Sequence, residues 1–398
     1  MQSRNHLASK LRQQGVTLVE LLVALVLGLA VLVGLSSVYV AAKQAFRFQE
    51  SSGRLQEDAS YALEVLTKDL RMAGFAGCRG IDVVNVASVN TYYPTLSLSP
   101  APTAITDANP LATVEPLNPL VTMQPMSPYN FLRGFDTVPS AMFAAGAVPT
   151  SSGTDSLFFV GGSANAVSLT APMAAPDAAL TIGADAYGWG TTKVYTFVVS
   201  DCISSSLFAG KLSAGGTQVD HSAALGNNAS SFATNYQYGV DSILMPLEWN
   251  FYYVATRSGA ATPSLYRIFY DGNNRGTAQE VVANVESLKL HYGENLNGVD
   301  SATTAPCVLA TGGATCVPTL KSDVWRTTAA SVTDWSRVVA VRLGLMFVGN
   351  DNATNSDIVS ATPTLLGNSY TLPAGASTTR LRKEYSTTVV LRNRVSPR

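Results

Sequence analysis

Three histidines, four cysteines and one carboxylate inside an apolar run are the residues of this 398-residue chain whose types could carry chemistry. His6, His221 and His291 lie far apart, and none stands in an H-E-x-x-H arrangement that would present two ligands to zinc from one helix face. No G-x-S-x-G nucleophile elbow and no G-x-x-x-x-G-K-S/T phosphate loop occurs. His221 falls in a loop-like stretch and His291 on a strand-like one, so both are expected in solvated or satisfied structural roles. Carboxylate pairs occur without a setting for acid–base work. The Asp271 and Glu294 segments are acidic loops by pattern, but neither fits the twelve-position calcium loop with its terminal bidentate acid, so turn chemistry is the expectation for both. Tyr252, Tyr253, Tyr266 and Tyr270 sit in strand-like runs, where packing is favoured over a base-stacking role. No catalytic residue, metal site or cofactor is expected.

Cys78, Cys202, Cys307 and Cys316 contain no C-x-x-C pair, and no histidine lies close enough for a zinc pattern. An even count in an exported chain reads as two disulfides. Charged residues are only 13% of the chain, against about 25% in an ordinary soluble domain, while 46% are hydrophobic. A formal net charge of -1 gives no bulk electrostatic reason to expect nucleic acid as a partner. The body is rich in Ala, Ser, Thr, Gly and Val, which suits a β-rich extracytoplasmic domain.

Glu20 poses the sharper question. From Val16 to Ala42 the chain is apolar, with Glu20 the only group charged at neutral pH, and Arg4, Lys10 and Arg12 precede it without an acid. As a helix the run is about 40 Å long at ~1.5 Å per residue, more than the ~30 Å hydrocarbon core requires. It is too long for the ~7–15-residue core of an ordinary secretory signal, even though Val40-Ala41-Ala42 has a cleavage-like pattern. A plain signal anchor fits the length but not Glu20, since a carboxylate at the centre of a bilayer helix costs roughly 2.5–3.5 kcal/mol. Lys43 and Arg47 on the far side weaken the positive-inside contrast.

The run Gly15-Val16-Thr17-Leu18-Val19-Glu20, closing a short basic leader and opening a long apolar helix, resembles the class III signal of type IV prepilins. The resemblance implies cleavage between Gly15 and Val16 by the prepilin peptidase, N-methylation of Val16, and a carboxylate at the fifth position of the mature chain. Val16 stands where phenylalanine is commonest. Cleavage frees an amine at Val16, and Glu20 of one subunit can pair with that amine on a neighbour. Paired, such a carboxylate sets the register between subunits.

Leu55, Ala59, Ala62, Leu63, Leu66 and Leu70 continue the pattern at helical spacing, with Glu57, Asp58, Glu64, Lys68 and Arg71 mostly between them. The pattern predicts one helix whose second half is amphipathic and lies on a sheet, with Gly74 and Gly77 as stops. Gly28, Gly34 and Gly53 are its weak points. Residues 81–150 read as long loops with a few short strands. Strands are predicted at 156–160, 193–200, 247–255, 265–270, 279–292, 335–348 and 384–391. A hairpin turn is predicted at 270–276, and 210–238 reads as loop.

Several segments are similar to PilW-type minor pilins: Arg71-Met72-Ala73-Gly74-Phe75-Ala76-Gly77-Cys78, Val199-Ser200-Asp201-Cys202, Leu265-Tyr266-Arg267, 285–293 and 335–343. The resemblance implies an α+β pilin fold, a long N-terminal membrane-spanning helix packed on an antiparallel β-sheet-rich C-terminal domain. It divides the chain into a leader (1–15), a transmembrane half-helix (16–42), a periplasmic amphipathic half (43–74) and a β-rich head (75–398). The pairing chosen for the cysteines is Cys78 with Cys202 and Cys307 with Cys316, with three connectivities formally open. The implied function is a minor pilin that primes pilus assembly, in a tip complex. Its partners would be other minor pilins, the major pilin, the prepilin peptidase, the assembly platform and the inner membrane. The alternatives are a type II secretion pseudopilin or a tip adhesin or receptor subunit.

Overall fold

The computed structural model describes residues 17–77, 131–139, 153–295 and 324–394, apart from 202, 226, 228–229, 233–234, 258–259, 274–275, 334, 350–362 and 374–375. Gly15, Val16 and all four cysteines lie outside the described residues.

One helix, α1 (Leu18–Arg71), runs through Gly28, Gly34 and Gly53 without a break. Its 54 residues span about 80 Å at ~1.5 Å per residue. Thr17 caps it, extended in backbone, with its Oγ1 accepting from the Glu20 N–H at 3.3 Å. The pattern T-x-x-E at 17–20 is the sequence signal for that cap. At the other end Lys68 and Arg71 sit in the last turn, where cations suit the negative helix end. Gly74 (φ 74°) and Gly77 (φ 92°) then turn the chain away in left-handed conformations, at the two predicted stops.

The strands are β1 (Leu132–Phe135), β2 (Ser156–Gly162), β3 (Val167–Ser168), β4 (Leu180–Thr181), β5 (Val194–Ser200), β6 (Ser205–Leu212), β7 (Gln218–Asp220) and β8 (Ile243–Ala255). They continue as β9 (Ser264–Tyr270), β10 (Gln279–Ala283), β11 (Val285–Glu294), β12 (Val324–Arg326), β13 (Val338–Val348), β14 (Thr364–Leu365), β15 (Asn368–Ser369) and β16 (Arg382–Val390). All pairings among them are antiparallel. The first ten strands form one sheet, and β12-β11-β13-β16 form a second; β14 and β15 make a small hairpin. The architecture is the expected α+β one, a long apolar helix joined to a large antiparallel region.

β8 is the spine of the first sheet. Its 243–246 end pairs with β5, and its 249–255 end pairs with β9. Side chains alternate along it with period two. Tyr252 and Val254 face the helix, whereas Trp249, Phe251 and Tyr253 enter a separate cluster on the other face. The second sheet contributes Leu288, Leu290, Leu343, Leu345 and Phe347 to the same core as Leu55, Ala59, Ala62, Leu66 and Leu70 of α1. The lower half of the helix is therefore a wedge shared by both sheets.

Three expectations need correction. The run 279–292 is two strands, because Asn284 adopts φ 64° and transfers the chain from β9 in the first sheet to β13 in the second. Asparagine tolerates that left-handed state better than most residues. The stretch 210–238 contains the end of β6 and the whole of β7. Gly210 is not a loop signal there: a Cβ would lie 2.8–2.9 Å from Phe197, Phe208 and Val219. Glu294 is no loop acid; it ends β11, fully buried, and accepts from Arg326 Nε at 2.8 Å and from the Thr333 hydroxyl. The predicted 270–276 hairpin is present, joining β9 to β10.

Candidate functional site at the N-terminal helix

The helix divides by environment. From Leu18 to Val40 its large apolar side chains are all 52–74% exposed, and the first fully packed position is Leu55 at 2%. No other described helix is long and apolar enough to cross a membrane. Glu20 lies in the first turn of this bare stretch, exposed, its N–H held by Thr17.

The packed end of the helix is clasped from three directions. Asp69 accepts from the Tyr252 hydroxyl at 2.5 Å, and Arg267 Nη1 stands 3.5 Å from the same carboxylate. Arg267 Nε in turn donates to Asn250 Oδ1 at 2.6 Å. Burial, with Asp69 beside it, pushes the Tyr252 phenol far up, so it stays a donor. Beyond the helix, Gly74 N–H donates to the Val160 carbonyl (2.8 Å) and Gly162 N–H to the Phe75 carbonyl (2.7 Å). The approach is close enough that a Cβ on Gly161 would lie 2.2 Å from the Met72 carbonyl oxygen. From the C-terminal side, Asn393 Nδ2 donates to the carbonyls of Arg71 (2.8 Å) and Ala73 (3.3 Å).

The remaining residues singled out from the sequence serve the packing. His221 is buried, with Nε2 2.8 Å from the Ala178 carbonyl and its ring stacked on Phe232 at 4.4 Å. His291 lies on β11; burial, then the charges of Arg342 and Lys289, lower its pKa and so favour the neutral ring. Asp271 Oδ1 accepts from Asn273 N–H at 2.9 Å, an Asx turn. Tyr253 stacks between Phe251 and Tyr266, and Tyr270 donates to the Gly272 carbonyl. Among the described residues no three His, Cys, Asp or Glu side chains gather in a metal-binding group. Asp69 and Asn393 were not anticipated as partners: each is one polar residue among several near a helix end or chain end, and only the folded contact distinguishes it. Arg267 lies in the family-like segment Leu265-Tyr266-Arg267, which by itself gives it no role as a partner of Asp69.

Residues 251–393 match the family model of type IV pilus-assembly protein W, and residues 10–36 match the prokaryotic N-terminal methylation motif. Those residues carry a PilW-type minor-pilin signature and a class III signal. No curated protein and no solved structure matches it. The PilW span runs from the helix-facing end of β8 to Asn393, so it takes in Tyr252, Arg267 and all of the second sheet. The methylation motif takes in Gly15, Val16, Thr17 and Glu20. Strands β1 to β7 lie between the two matched regions.

Proposed function

We propose that this chain is a PilW-type minor pilin that primes assembly of a type IV pilus, in a complex at the filament tip, after the leader is cut between Gly15 and Val16 and Val16 is methylated. The observation that carries the reading is the bare apolar half of α1, projecting from a head that holds only the other half. Such a rod is stable in a bilayer and afterwards in a bundle of like helices from the major pilin and other minor pilins. Before assembly the chain is a single-pass inner-membrane protein with its head in the periplasm. It is a substrate of the prepilin peptidase and a client of the assembly platform, and it acts as a structural subunit. Glu20, at the membrane end of the bare rod, pairs with the freed Val16 amine of a neighbour and selects the stagger between subunits.

The disulfides Cys78–Cys202 and Cys307–Cys316 belong to the same proposal. The approach of Gly77 to Ser200 supports the first: a Cβ on Gly77 would lie 2.9 Å from Ser200 Cβ, so the residues preceding these two cysteines by one and two are neighbours.

The test is a chromosomal deletion complemented with wild type or Glu20→Ala. Loss of surface pili on deletion, restored by wild type and not by Glu20→Ala although the variant is cut and membrane-inserted, is the expected outcome. Normal piliation in the deletion strain, with exoprotein secretion lost instead, would move the chain to a secretion pseudopilus.

A further inference from the structure

We propose that Lys43 and Arg47, with the underside of the head, form a collar that binds anionic phospholipid headgroups on the side of the membrane to which the head is exported. The proposal rests on the reading that Leu18–Val40 spans the bilayer.

Between Leu21 and Gln49 there is no acidic residue, so the two cations stand in an acid-free stretch. Both are exposed. They are four residues apart and share a helix face. The first carboxylate above them, Glu50, is already engaged, accepting from Arg54 Nη2 at 2.7 Å. Positive charge just outside a span on the exported side runs against the usual topological bias, so its presence here calls for a partner on that side.

The surroundings fit a headgroup layer. Tyr39 and Phe46, 69% and 67% exposed, fall on the same face as Lys43 and Arg47 at positions i, i+4, i+7 and i+8. Tyrosine and long cations are side chains that settle at the boundary between hydrocarbon and water, and Phe46 adds apolar area on the hydrocarbon side. The head begins immediately above. A Cβ on Gly349 would lie 2.8 Å from Ser51 Oγ, one turn beyond Arg47, or about 6 Å. From Gly349 the underside continues through its N–H bond to the Leu381 carbonyl (2.8 Å), then Arg380, whose Nη1 donates to Ala261 (3.4 Å) in the loop that bears exposed Arg257. Among the described acids nearby, Glu286 pairs with Arg382 and Glu280 accepts from the neutral Ser264 hydroxyl. The attraction therefore rests on Lys43 and Arg47, which stand at the end of the span within the ~8 Å screening length of the headgroups at physiological salt.

The experiment uses the full chain in phosphatidylcholine vesicles carrying trace spin-labelled phosphatidylglycerol or spin-labelled phosphatidylcholine. Electron paramagnetic resonance reads the motionally restricted fraction of each lipid. The wild type should select phosphatidylglycerol by about fivefold at low salt, the preference that one cation near an anionic surface supplies. The selectivity should fall toward one with salt and in the Lys43→Gln/Arg47→Gln variant, whose head melts as the wild type does. Equal association of the two lipids with wild type, or unchanged selectivity in the double variant, overturns the collar. If the cations are shielded only when other pilins are reconstituted alongside, their partner is protein and the proposal also fails. Co-flotation with the vesicles after carbonate extraction is read separately, and its failure would sink the membrane-spanning reading itself.

Discussion

Glu286 and Arg382 show what a single pair can demand of this fold. Their side chains are 4% and 5% exposed, and two guanidinium nitrogens meet the carboxylate at 2.7 and 2.9 Å. Arg382 also donates to the Ser377 carbonyl, so most of its donors are satisfied. Removing one partner strands a buried charge, which costs about 3–5 kcal/mol, whereas replacing both with apolar groups costs far less. Arg382→Ala is therefore expected to lower unfolding free energy by about that amount in a urea titration, and Glu286→Leu/Arg382→Met to recover most of it. The exposed Glu50–Arg54 pair on α1 has the same 2.7 Å contact, but in water it is worth less than about 1 kcal/mol. Burial, not distance, decides between the two. Asp155 follows the same logic: burial raises its carboxyl above the ordinary range, while Lys289 at 2.6 Å and the Leu290 N–H oppose the shift.

At the scale of elements, the crossing of the helix end over β2 is the tightest joint. Gly161→Ala would press a methyl against the Met72 carbonyl, with backbone on both sides and nothing flexible to move. Loss of about 1–3 kcal/mol is expected, the range for overpacking. Earlier hydrogen exchange at Gly74 and Gly162 than at β8 amides would locate the damage at that joint. How much of this was readable beforehand depended on the element. α1 was legible throughout because its apolar spacing persists and Gly74 and Gly77 punctuate its end. β9 and the 247–255 part of β8 were legible because β-branched and aromatic residues are concentrated in them, whereas the 243–246 end of β8, which contains Pro246, was not. β6 and β7 were hidden by Gly210 and the glycines of the turn after it, where small residues serve close packing and read as loop. The break at Asn284 was hidden because the apolar pattern continues across it while the pairing partner changes. Glu20 stood out through its isolation, yet its proposed partner belongs to another chain and no single fold could display it.

Across the whole molecule, several buried phenols set its alkaline limit. Burial raises the pKa of Tyr238, Tyr252, Tyr270 and Tyr292, and burial with the Asp201 hydrogen bond pushes Tyr236 up to about 12. Unfolded, these groups lose their protons near pH 10, so above that value the unfolded chain binds fewer protons than the native one. The stability they contribute is complete below pH 10 and falls as pH rises toward the folded values. Tyrosinate absorbance from the buried set is thus expected to appear only well above pH 10, together with loss of the circular-dichroism signal. A single step near pH 10 with the fold intact would show that the phenols are accessible.

The wedge of α1 between two sheets has a mechanical consequence. Force drawn along the helix axis, as when a rod is pulled from a membrane by its head, loads the contacts from Leu55 to Leu70 and the Asp69, Gly74 and Asn393 bonds in shear. Loaded side by side, these contacts share the pull and must yield together. Force applied across the axis would instead peel them one at a time. The head is thus gripped most firmly along the one direction in which extraction would draw it.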